Sequence, residues 1–160
     1  MGHRALLAYE RPDRLYDLHY SHWGGTELDL GDRIDDECPL ADGAVEESPV
    51  AEAVAGERIL PEFLNPCRYK ALYLVREGGV NGYRVAWLEW DERRASDRGA
   101  IVELEPGEDD REFRLWFRAT KTVLGDIVEM GQFPRHAART YLEARIVEEY
   151  DGIPYTYRGT

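Results

Sequence analysis

Residues 1–25, MGHRALLAYERPDRLYDLHYSHWGG, are the stretch whose reading decides the fold. Two runs rich in aliphatic and aromatic residues, 4–10 and 15–23, flank Arg11-Pro12-Asp13-Arg14. Pro12 presets the φ that position i+1 of a type I turn needs, and Asp13 tolerates the next position. Apolar runs around such a turn predict a β-hairpin. A four-residue loop sets Glu10 opposite Leu15, Leu7 opposite Leu18 and His3 opposite His22. Directly opposed Cβ atoms lie about 4.5–5.5 Å apart. That register brings two imidazoles within reach of one metal ion or one proton.

Alternation sorts the second strand into two faces, Tyr16, Leu18, Tyr20 and His22 on one and Asp17, His19, Ser21 and Trp23 on the other. Asp17, His19 and Ser21 put a carboxylate, an imidazole and a hydroxyl in line, the groups of a nucleophile relay. A relay needs hydrogen-bond contact, whereas same-face neighbours on one strand sit about 6.5–7 Å apart at Cα. His3 and His22 begin a zinc or copper site that lacks a third ligand, for which Asp17, Glu10 and His136 are candidates. The plainer alternative is an aromatic hairpin packed on the core, its histidines bonded to backbone. No cofactor is required by the sequence.

Outward from the hairpin, residues 26–30 (TELDL) suggest a short third strand. Residues 33–58 are acidic, Ala-rich and broken by Pro39, Gly43, Pro49 and Gly56; they read as a flexible, solvated loop, with one helical turn near 50–54. Residues 59–64 read as a short helix. Residues 69–76 and 83–90 form a second hairpin, followed by a charged loop at 91–98 and a strand at 100–104. REFRLWFR, residues 111–118, fits a strand through Phe113, Leu115 and Phe117, and a helix through Phe113, Trp116, Thr120 and Leu124. The strand is favoured, with a helix from about 120 to 130 capped by Gly131. Pro134 opens a last helix to about 149. Tyr155 and Tyr157 suit an edge strand. Strands first and helices last predict one α+β domain over 1–160: an antiparallel sheet of five to six strands built from hairpins, with two C-terminal helices on one face.

The 160 residues carry 20 Lys and Arg against 32 Asp and Glu, a formal charge of −12. Lys70 and Lys121 are the only lysines. Such a balance argues against nucleic-acid binding and against an anionic membrane surface. It fits a salt-rich cytoplasm, where a Debye length of about 3 Å at molar salt screens repulsion among surface carboxylates. A GC-rich genome would also favour Arg over Lys. Cys38 and Cys67 lack the spacing of a metal or redox motif, and no signal peptide or membrane-spanning run is read. Phosphate-binding glycine loops, zinc spacings and nucleophile elbows are missing from the sequence. Arg111, Arg114 and Arg118 suit an anion, although Glu112 among them favours a surface ion-pair lattice.

The opening MGHRALLAYERP…LYDLHYSHWGG resembles that of a family of uncharacterised proteins, a domain of unknown function, from haloarchaea and their viruses. The similarity extends more loosely to ALYLV/YRVAWLEW and to ATKTVLGDIVEMG with YLEARI. The resemblance implies an intracellular, halophilic setting, cytoplasmic or virion-associated, and brings no activity. Without catalytic motifs, the sequence favours a non-enzymatic interaction or accessory module with a protein partner. A binding surface at Trp23, Trp90 and Trp116 is one expectation; tryptophans filling the core is the other. The alternative function is a small metal- or histidine-dependent enzyme centred on His3, His19 and His22.

Overall fold

The computed structural model describes residues 2–91 and 97–159. β1 (Ala5–Glu10) and β2 (Tyr16–Ser21) form the expected hairpin. Their register is one residue away from the expected one: Leu7 faces His19, Ala8 faces Leu18 and Glu10 faces Tyr16. The turn is the cause. Arg14 N–H donates to Arg11 C=O at 3.0 Å, Arg11 N–H donates to Leu15 C=O at 2.8 Å, and Arg14 takes a left-handed φ of 68°. The loop is therefore a three-residue one, a type I turn closed by a left-handed residue. Asp13 fastens it by accepting Leu15 N–H at 3.1 Å.

Beyond the hairpin come β3 (Ala51–Val54), β4 (Ala71–Arg76), β5 (Gly79–Trp87), β6 (Arg98–Glu103) and β7 (Ile153–Thr156). Among the described residues, seven strands make one sheet in the order β3-β2-β1-β4-β5-β6-β7. β1 and β4 are parallel, and the other neighbours are antiparallel. The α+β class holds, but the expected antiparallel sheet of five to six strands is corrected to a mixed sheet of seven. β3 occupies the outer edge of β2, and the long connection that follows lets β4 enter parallel to β1. The expected strand at 26–30 is not formed: Leu28 takes a φ of 59° and Leu30 opens a 3-10 turn, Leu30–Arg33. Residues 50–54, expected as a helical turn, supply β3 instead. Most of the charged loop expected at 91–98 lies outside the described residues.

α1 (Gly56–Arg58) continues as a π-helical turn, Ile59–Phe63. α2 (Glu108–Glu129) and α3 (Arg135–Tyr150) are the long helices. Residues 111–118 are thus helix, not strand. Glu108, Asp109 and Asp110 fill the first turn of α2, where carboxylates meet the positive end of the helix dipole. Leu115, which strand alternation would bury, is exposed, while Phe113 and Leu124 are buried on a helical stripe. Gly131, with φ 72°, ends α2 as expected. Among the described residues no helix is long and apolar enough to cross a membrane.

Side chains alternate across the sheet. One face carries Leu6, Ala8, Leu18, Leu72, Val85 and Ile101 under Ile59 and Leu64. The opposite face is covered in two parts. Leu28, Leu30, Ala41 and Val45 close over Ala5, Leu7, Ala71 and Tyr73, so the acidic segment supplies core residues. Phe113, Leu124, Leu142 and Ile146 of the helices close over Ala86, Ala100 and Val102. Between the two covers runs the row Ala5–Ala71–Arg84–Val102. Its one charged member, Arg84, sits at the seam.

Candidate functional site

The hairpin residues singled out by the sequence are held as follows. Ser21 Oγ–H donates to Ala44 C=O at 2.7 Å. His19 Nδ1–H donates to Glu46 C=O at 2.8 Å. Asp17 accepts Ala53 N–H at 3.0 Å and an Arg11 N–H at 3.3 Å. The three side chains serve three separate groups along the acidic segment rather than one another. His22 Nδ1 and Tyr20 Oη are hydrogen-bonded at 2.8 Å, and the His22 and His3 rings both approach Trp23, at 4.8 and 6.3 Å between centroids. His136 is exposed in the first turn of α3. Among the described residues, no three His, Cys, Asp or Glu side chains cluster as a metal site would require. Trp23 is 61% exposed, Trp116 packs against Phe113 and Tyr150, and Trp90 lines a cleft. The three tryptophans occupy different places in the fold.

That cleft lies along the seam, between β5, the connections before β3 and β4, and the inner stripe of α2. Its volume is about 490 Å³. Both lysines line it, Lys70 and Lys121, with Arg84, Arg114, Arg118 and His3. Trp87, Trp90, Phe113 and Phe117 give it aromatic walls. Among the described residues its lining contains no acidic side chain, in a chain with 32 of them. Helical spacing explains the α2 contribution: positions 113, 114, 117, 118 and 121 fall on one side of a 3.6-residue helix.

Reciprocal bonds fix α2 on the end of β5. Trp90 Nε1–H donates to Lys121 C=O at 2.7 Å, and Lys121 Nζ donates to Trp87 C=O at 2.8 Å. Gly125 permits this approach, because a Cβ there would lie 2.9 Å from the Trp90 ring. Arg84 reaches across the seam with two bonds to Asp110, 2.8 and 2.7 Å, and further bonds to the carbonyls of Gly25 and Lys70. Arg114 also donates to Asp110, at 3.1 Å. One buried carboxylate therefore offsets Arg84 and Arg114 together.

Lys70, Arg118 and Lys121 have no carboxylate within 4 Å among the described residues. Lys121 Nζ lies 4.6 Å from the Trp87 ring centroid and 5.5 Å from that of Phe117. Burial, and next the like charge of Lys70, pull its amine down from 10.5 to about 8; Glu89 and Cys67 oppose this. A cleft of this kind attracts an anion and shelters a flat apolar group.

Sequence reasoning found Arg114 and Arg118 but placed them in a surface lattice, and it treated the lysines as composition only. The available signal was their scarcity: with two lysines in 160 residues, the position of each carries information. Lys121 also sits one helical turn from Phe117, which only a helical reading of 111–118 exposes.

Fold and cleft together define an α+β domain with a mixed sheet and a cationic, aromatic-lined cavity at its helix seam. Residues 1–48 and 40–152 match the model of DUF6735, a family of unknown function, and the chain belongs to that family. Comparison with curated proteins and with solved structures gives no match.

Proposed function

We propose that the chain is a non-enzymatic accessory module that binds a small organic anion with a flat apolar body in the cleft between β5 and α2. The setting is the salt-rich cell interior that its acidic surface fits. One observation carries the reading: both lysines of a strongly acidic chain line the same cavity, with arginines and four aromatic rings and, among the described residues, without a lining carboxylate. In molar salt, exposed charges are screened over about 3 Å, whereas partly buried cations such as Lys121 keep more of their attraction.

The test is a titration with phenyllactate in KCl, read by Trp87 and Trp90 fluorescence and by calorimetry. Saturable binding is expected, with loss of about tenfold or more in R118A, the size of one charge-assisted hydrogen bond of roughly 1.5–3 kcal/mol. The neutral analogue benzyl alcohol should bind far more weakly. Equal binding of both compounds, or none, overturns the reading. A protein partner is the second reading, favoured by Leu115, Val123 and Met130, which lie exposed on the outer side of α2. It requires that L115E/M130E abolish a stoichiometric complex while leaving phenyllactate binding intact.

A further inference from the structure

We infer that Lys121 captures its ligand covalently and reversibly through a carbonyl carbon, so that the ligand class of the cleft is an aromatic oxo acid. The inference rests on the cleft being the binding site and adds what one of its residues does there.

The placement of Nζ is the basis. It lies in the cleft wall with one neutral acceptor, Trp87 C=O at 2.8 Å, and two aromatic rings beside it. The nearby carboxylate, Glu89, is already engaged by Arg135 at 2.9 Å and Arg139 at 3.6 Å. The other groups bearing on Nζ are Lys70 and Cys67, both from the connection before β4. Lys70 is exposed and, with Arg118, supplies charge for a carboxylate. Lys121 is the half-buried amine between rings, the environment in which a lysine becomes a nucleophile. An amine that titrates near 8 is neutral in about a tenth of molecules at pH 7.

The chemistry balances without an oxidant or reductant. The Nζ lone pair bonds to the carbonyl carbon, and the π pair moves to oxygen. The resulting carbinolamine loses that oxygen as water, which carries off the two amine hydrogens, and a C=N bond remains. Hydrolysis reverses the step. When protonated, the imine is a cation against the Trp87 and Phe117 faces, an arrangement aromatic rings favour.

The background for a test is unusually clean, because the chain holds two lysines. The full chain in KCl is incubated with phenylpyruvate and cyanoborohydride, which reduces an imine to a stable secondary amine, and adducts are mapped by mass spectrometry. One adduct per chain on Lys121 is expected. Phenyllactate, whose hydroxyl replaces the carbonyl, should slow labelling by competition. K121R should take no adduct at the cleft while K70R is still labelled on Lys121. If phenyllactate binds and Lys121 is not labelled, or Lys70 and the α-amino group are labelled equally, the imine is overturned and the binding site stands. If neither compound binds, the cleft reading falls, and the imine with it.

Discussion

Arg84 and Asp110 form a buried bidentate pair, Nε to Oδ1 at 2.8 Å and Nη2 to Oδ2 at 2.7 Å, linking the middle of β5 to the first turn of α2. Their side chains are 6% and 0% exposed. Nη1 donates to the Gly25 and Lys70 carbonyls, so one side chain ties the sheet, a helix and two connections at the floor of the cleft. Removing Asp110 leaves the buried Arg84 charge uncompensated, which costs about 3–5 kcal/mol, whereas replacing both by apolar residues costs much less; removing Arg84 leaves Asp110 still paired with Arg114 at 3.1 Å. D110N should lower urea-unfolding stability by that amount, R84M by less because Arg114 keeps Asp110 paired, and R84M/D110L should recover a large part of the D110N loss. Single variants within about 1 kcal/mol of wild type would mean that α2 is held by its apolar stripe alone.

Lys121 makes stability depend on pH in a direction that can be worked out. Its folded value of about 8 lies below its ordinary 10.5, so the folded chain releases this proton before the unfolded chain does. Below pH 8 the ammonium is present in both states and its burial weighs fully against folding. Between pH 8 and 10.5 that cost is relieved and stability rises. Buried tyrosines act the other way. Burial pushes Tyr9 up to about 12 and raises Tyr73 and Tyr155 further, so the unfolded chain ionises first, near pH 10, and stability falls above it. Melting temperature at fixed KCl should therefore peak at about pH 9–10, and K121M should remove the rise that begins near pH 8. A rise that survives in K121M would assign it to another group.

Much of the architecture was legible because it depends on local chemistry. Pro12 and Asp13 mark the first turn, Gly131 ends α2 and Pro134 precedes α3. What was not legible depends on choices that local patterns leave open. The hairpin register turned on Arg14, an ordinary residue in a left-handed conformation, and a one-residue change there separates His3 from the expected opposition to His22. Phe113, Leu115 and Phe117 alternate as a strand would, and the helix prevails because Phe113, Phe117 and Leu124 bury one face against Ala86 and Val102. The parallel pairing of β1 with β4 comes from residues far apart in sequence. The cleft follows from that pairing and from the helix, so its lining residues, spread from His3 to Lys121, form no motif.

The acidic segment gives the last test, because charge and structure predict different outcomes for its removal. Composition alone makes residues 35–57 a solvated loop whose deletion spares the fold. In the structure Ala41, Val45 and Val54 are buried, β3 pairs with β2, and Ser21, His19 and Asp17 bond to Ala44, Glu46 and Ala53. Tyr73 and Leu7 would lose part of their cover, and uncovering several core side chains costs roughly 2–5 kcal/mol for each large one lost. Deletion of residues 35–57 should therefore abolish the cooperative melt seen by circular dichroism. The point variants separate the pins from the packing. S21A and H19A each remove one hydrogen bond, worth about 1 kcal/mol, and should speed amide hydrogen exchange at residues 44–53 while β4 and β5 stay protected. A deletion variant that melts cooperatively would show that the segment rests on a sheet able to stand without it.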